Sequence, residues 1–167
     1  MVEFMVLAAP RSGTTWTANW LTTDTTLCIH EPMWTKHYNE LDDIKSKKVL
    51  GVSCTGLYRF PEWVNKHPAR KVILHRPYED IVKSAQDKSL CNPKYTEMLN
   101  AIKGMHVHWE DIFNNPKPIY EFLLQKEFDE ERHNELKLMQ VNSAQDKIKM
   151  NPEHLRKLIL ELKANIC

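Results

Sequence analysis

No apolar run in this 167-residue chain approaches the length that a bilayer demands. The longest one near the start, Phe4 to Pro10, has no basic segment before it and runs straight into Arg11. Neither a membrane partner nor an export signal is expected. Charge of one sign is missing too. With 23 Lys+Arg against 22 Asp+Glu the net charge is +1, which leaves no global field to recruit nucleic acid and makes any anion site a local one. No two cysteines form a C-x-x-C pair: Cys28, Cys54, Cys91 and Cys167 lie far apart and read as free, mostly buried thiols of a reducing, cytoplasmic setting. Linkers and low-complexity segments are also absent. What remains, 42% hydrophobic and 27% charged residues, is the balance of a globular protein, and one domain over residues 1–167 is expected.

Val2 to Ala8, Leu27 to His30, Lys48 to Cys54, Arg70 to His75 and Met105 to Trp109 read as short strands, the first and fourth with the pattern of buried ones. Helical patterns cover Thr15 to Leu21, Pro61 to His67, a stretch from about Pro77 through Ser84, Lys94 to Lys103, Pro116 to Leu124, Glu130 to Met139 and Pro152 to Ala164. Lys36 to Lys47 reads as loop or weak helix. Strands alternating with helices predict an α/β fold, a doubly wound parallel sheet with helices on both faces.

In such a sheet ligands gather where strands end and helices begin. Arg11-Ser12-Gly13-Thr14-Thr15 sits at the first of these junctions. Gly13 lets the backbone approach a phosphate, and Ser12, Thr14 and Thr15 add hydroxyl donors to the loop amides. The loop is not a Walker A motif: Ala8 and Thr14 stand where its first glycine and its lysine would be, and the cation has moved ahead of the glycine to Arg11. A second cation, Arg76, ends the strand Arg70 to His75, with Ser84 eight positions on. Taken alone, Arg76 reads sooner as a surface ion pair with Glu79 or Asp80 than as a ligand-binding residue.

Pro10-Arg11-Ser12-Gly13-Thr14-Thr15-Trp16 closely resembles the 5'-phosphosulfate loop of sulfotransferases, whose donor is 3'-phosphoadenosine 5'-phosphosulfate (PAPS). Arg76 and Ser84 match that family's 3'-phosphate signature in order and spacing. His108 to Leu123, "HWEDIFNNPKPIYEFL", is similar to a late segment of the family, with Glu110 and Asp111 ordering local structure or capping the next helix. The resemblance implies a P-loop-NTPase-like sulfotransferase fold, PAPS as donor, its product 3',5'-adenosine bisphosphate (PAP), no metal requirement, and a small-molecule or carbohydrate acceptor. It also implies donor-binding roles for Arg11, Ser12, Gly13, Thr14, Thr15, Arg76 and Ser84, with Trp16 against the adenine or, as its position equally allows, in the core.

Transfer to an alcohol or amine calls for a base near the loop. His30 and Glu31 end the second strand, and "HEPMW" resembles the Glu-Pro segment of carbohydrate-type sulfotransferases, where the glutamate is the base. Glu31 is therefore the expected base and His30 its rival, with Arg11 neutralising charge on the leaving phosphate. Adjacent strand residues point to opposite faces, so one of the two is expected to face the donor. The alternative for Glu31 is a loop carboxylate held by Lys36. Ser53 and Thr55 are candidate acceptor-pocket residues, and His106 with His108 reads as a satisfied or surface pair rather than a zinc site. The family's late basic, glycine-rich loop has no clear counterpart; Lys147 and Lys149 are the nearest cations. This suggests an open acceptor pocket or one completed by a second copy in a homodimer. Two rival readings remain, a non-catalytic PAP- or PAPS-binding protein and a P-loop small-molecule kinase, which would need Mg²⁺ and a loop lysine.

Overall fold

The computed structural model describes residues 1–85 and 91–139. Strand β1 (Phe4–Ala8) is buried throughout, with Phe4, Val6 and Ala8 entering one core and Met5 and Leu7 the other. A strand apolar on both faces must be covered on both. Four more strands, β2 (Thr26–His30), β3 (Val49–Cys54), β4 (Arg70–His75) and β5 (Met105–His108), join it in an all-parallel sheet of order β2-β3-β1-β4-β5.

Helices close both faces. Trp16 and Trp20 of α1 (Thr14–Trp20), Ile112 of α5 (Asp111–Asn114) and Ile119, Tyr120 and Leu123 of α6 (Pro116–Leu124) pack over Phe4, Val6, Val72 and Leu74. Val64 of α2 (Pro61–Lys66), Ile81 of α3 (Tyr78–Ser84) and Leu99 of α4 (Tyr95–Asn100) pack over Met5, Leu7, Val52 and Ile73. The molecule is thus α/β with a parallel sheet between helices, consistent with the doubly wound expectation. The register sets Phe4 beside Gly51, where a Cβ would stand 2.0 Å from the Phe4 ring; glycine is what lets that ring lie on the sheet.

The last described helix, α7 (Glu130–Leu138), ties the aromatic side of the core to α1. Its Arg132 donates to the carbonyl groups of Asn19 and Thr22 at the C-terminal end of α1, and its Leu136 carbonyl accepts from Trp16 Nε1 at 3.4 Å. His133 sits edge-on to Trp16, Trp20 and Phe128, with ring centroids 5.4 Å away in each case.

The expected strands occur within one or two residues of their predicted ends. Trp109 falls just outside β5, although its N–H still donates to the His75 carbonyl at 2.9 Å. The helix expected over Lys94 to Lys103 is confined to Tyr95–Asn100, and Lys36 to Lys47 holds a 3-10 turn at Tyr38–Asp43. The helix expected over Pro152 to Ala164, Lys147 and Lys149 lie outside the described residues. Among the described residues no helix is long and apolar enough to cross a membrane.

Candidate functional site

The chain leaves β1 for β2 on one side of the sheet, then returns past β1 to reach β4 and β5 on the other. That reversal opens a crevice at the carboxyl edge. A cavity of about 250 Å³ occupies it, and every strand sends residues there. After β1 come Pro10, Arg11, Gly13, Thr14 and Thr15; after β2, His30 at the strand end, Glu31 and Trp34; after β3, Thr55; after β4, Arg76 and Ser84; after β5, Trp109 and Phe113.

The loop after β1 turns through left-handed backbone at Arg11 (φ 64°) and again at Gly13 (φ 87°), which precedes α1. Gly13 adopts this conformation without penalty, whereas Arg11 carries strain that its neighbours must hold. They do so from β4 and α3. Arg76 donates to the Arg11 carbonyl, and Arg11 Nε donates to the carbonyl and hydroxyl of Ser84 at 3.1 and 3.2 Å. Two motifs 73 residues apart are thereby fastened to each other. Among the described residues no side chain caps α1, and its first turn has no acidic residue, so its leading amides are not claimed by a capping side chain.

Arg76 lies with its guanidinium carbon 4.2 Å from the centre of the Trp109 ring. Burial is the main influence pulling its pKa down, Arg11 pulls the same way, and Asp80 and Glu110 oppose them. Asp80 lies 3.7 Å from Lys83 and acts on Arg76 through space. A binding anion would relieve the repulsion between the two arginines.

On the β2 and β3 flank the strand ends at His30, and Glu31 takes a left-handed conformation (φ 47°, ψ 52°) that starts the 3-10 turn Pro32–Trp34. This corrects the expectation that only one of the pair could face the site. The pleat has ended, so both line the cavity. Glu31 is 7% exposed; its Oε1 accepts from the Thr55 N–H at 2.8 Å and its Oε2 from the Cys54 thiol at 3.4 Å. Those two donors, rather than Lys36, hold it. His30 Nε2 lies 3.2 Å from the Thr14 hydroxyl, 3.3 Å from that of Thr15 and 3.8 Å from Glu31 Oε1. Burial lowers the His30 pKa, with Glu31 opposing, so the neutral ring is favoured.

Three residues named from the sequence are absent from the cavity lining: Trp16 takes the core alternative that the sequence left open, and Ser12 and Ser53 are buried. Trp16 faces Trp20, Phe113 and His133 in the core, 3% exposed, and does not line the cavity. Ser12 is fully buried, and its hydroxyl has no hydrogen-bond partner among the described residues. Ser53 lies under α1, bonded to the Thr17 hydroxyl at 2.8 Å and the Thr14 carbonyl at 2.9 Å. His106 and His108 do not act together. The former bonds the His75 ring at 2.8 Å and the Ile102 carbonyl at 2.8 Å, and the latter lies 3.7 Å from Glu110. Asp111 accepts from the His108 N–H at 2.9 Å, so it orders the strand end.

Sequence reasoning did not single out Trp109, Phe113 or Trp34 as walls of the site. Trp34 is 83% exposed, while the other four tryptophans are buried or half-buried. The arrangement has a chemical polarity: hydroxyls and two guanidinium groups gather around the β1 and β4 loops, while the one carboxylate that lines the cavity among the described residues stands on the β2 flank. No family model matches the sequence, and no curated protein matches it.

Proposed function

We propose that this protein is a PAPS-dependent sulfotransferase, moving a sulfuryl group to a hydroxyl or amine of a small-molecule or carbohydrate acceptor. The observation that carries the reading is the convergence of the Arg11 to Thr15 loop with Arg76 and Ser84 at one cavity that also holds Glu31. The residues fit such a donor: its flank offers guanidinium and hydroxyl groups, and the carboxylate in the lining is on the other flank.

When bound, the donor supplies an electrophilic sulfur on its 5'-phosphosulfate. Arg11, Gly13, Thr14 and Thr15 hold the phosphate side and offset the charge that grows as the S–O bond to it breaks. Arg76 and Ser84 take the 3'-phosphate. Glu31, ordered by Thr55 and Cys54, accepts the acceptor's proton as its oxygen or nitrogen bonds to sulfur. His30 is tied to two loop hydroxyls and serves better to orient them than to take that proton.

The test is transfer of radiolabelled sulfate from PAPS to a panel of sugar and alcohol acceptors in excess EDTA. Transfer that persists supports the reading, because the site's positive charge comes from side chains. Transfer from the γ-phosphate of ATP, lost in EDTA and restored by Mg²⁺, would replace it with the kinase reading.

A further inference from the structure

Glu31 is anchored by two donors of different kinds, a backbone N–H and a thiol. The thiol belongs to Cys54, whose side chain is fully buried at the end of β3, inside the core that contains Met5, Leu7, Val52 and Leu57. Its sulfur lies 3.4 Å from Glu31 Oε2, and the Gly56 N–H donates to the same sulfur at 3.3 Å. With that lone pair occupied from one side, the thiol hydrogen is left to point at the carboxylate. Burial, and then Glu31 itself, push the thiol up to about 12, so Cys54 stays protonated and remains a donor at any ordinary pH.

We propose that Cys54 is a positioning residue for Glu31: its thiol fixes Oε2 on the core side and so selects Oε1 as the oxygen that takes the acceptor's proton. This rests on the reading of Glu31 as the base. Oε1 is the oxygen bonded to the Thr55 N–H at 2.8 Å and lying 3.8 Å from His30, and Thr55 and His30 both line the cavity. A carboxylate pinned at one oxygen only could rotate about its last torsion, which is soft for glutamate. The thiol removes that freedom. Glu31 also sits on strained backbone (φ 47°), so its side-chain direction is set by the turn as well as by the two donors.

Two measurements test this, and one needs no nucleotide. The S–H stretch of a thiol lies in a spectral window free of other protein bands and falls in frequency when the thiol donates. The Cys54 band, assigned by its loss in Cys54→Ser, should move to higher frequency in Glu31→Gln, because an amide accepts more weakly than a carboxylate. An unmoved band overturns the proposal whatever the protein's activity.

The second measurement compares turnover at saturating donor and acceptor. Cys54→Ala should lower kcat about 5- to 10-fold while PAP affinity stays within about twofold, and Cys54→Ser, which restores a donor, should recover most of the loss. A purely structural cysteine would lower melting temperature and PAP affinity together and leave kcat per folded molecule alone. If Cys54→Ala does not fold, Cys54→Val, which fills the core space but donates nothing, takes its place in the turnover comparison, and the infrared band is read as before. Failure of wild-type protein to bind PAP would sink the sulfotransferase reading; PAP binding and turnover with a kcat unmoved in Cys54→Ala would sink only this one.

Discussion

Replacing Arg76 by alanine removes three things at once, and they separate by ligand. The first is the stack on Trp109 at 4.2 Å and the bond to the Arg11 carbonyl, both of which support the loop for any nucleotide. This charge-assisted hydrogen bond and the cation–π contact hold the loop rather than the ligand, and losing both is expected to cost about 1 to 2 kcal/mol of binding, so a nucleotide with only a 5'-phosphate, such as AMP, should bind about 5- to 30-fold more weakly. The second is the charge-assisted fork to a 3'-phosphate, worth about 2 to 4 kcal/mol, a further 30- to 1,000-fold for PAP alone. The third is repulsion with Arg11, which burdens the free site and is relieved by a bound anion, so its absence slightly weakens the variant's binding of both ligands. Calorimetry with PAP and AMP on wild type, Arg76→Ala and Arg76→Lys reads the difference directly. Lysine keeps the charge but loses the fork and the flat stacking face, so it should fall between the other two. Equal losses for PAP and AMP would show that Arg76 supports the loop and nothing more.

At saturating donor, Glu31→Gln should lower turnover by about 10² to 10⁴ with PAP affinity within a few-fold of wild type, and full turnover in this variant with loss in His30→Ala would move the base to His30. Burial, with Lys137 adding to it, holds the His133 pKa below its ordinary value against opposition from the Phe113 carbonyl and Glu130. Its neutral form therefore contributes stability that is complete above about pH 6.5, the unfolded value, and fades as pH falls below it. Denaturant melts at pH 7 and pH 5 should reveal a smaller acid loss in His133→Phe than in wild type, and an equal loss would remove His133 from the account. Gly51→Ala should lower the melting temperature by several degrees, because its Cβ would meet the buried Phe4 ring at 2.0 Å; an unchanged melting temperature would contradict the register.

How far the sequence carries the site depends on which physical feature places each residue. Arg11 to Thr15 and Arg76 with Ser84 were legible because each follows an apolar run that can only be a strand, and strand ends in a parallel sheet share one edge. Trp109 and Phe113 were not, because their approach to Arg76 depends on β5 lying beside β4, and strand order is not written in local periodicity. Ser53 and Thr55 looked equivalent by alternation, yet β3 ends at Cys54, so Thr55 leaves the pleat for the cavity while Ser53 stays beneath α1. Glu31 was found by its Pro partner, but its left-handed backbone, which brings it to the same side as His30, has no residue signature of its own. The same applies to Cys54, which composition marks as a small core hydrophobe and only the fold brings to a carboxylate.

The central claim is that the cavity at the carboxyl edge holds a nucleotide bearing both 5'- and 3'-phosphate groups without a metal. The most direct measurement is calorimetry of the wild-type protein with PAP and with ATP, side by side in excess EDTA. Micromolar or tighter binding of PAP, about −8 kcal/mol or more, with no heat from ATP, is the predicted result. Binding of ATP that appears on adding Mg²⁺, with none for PAP under either condition, would contradict it.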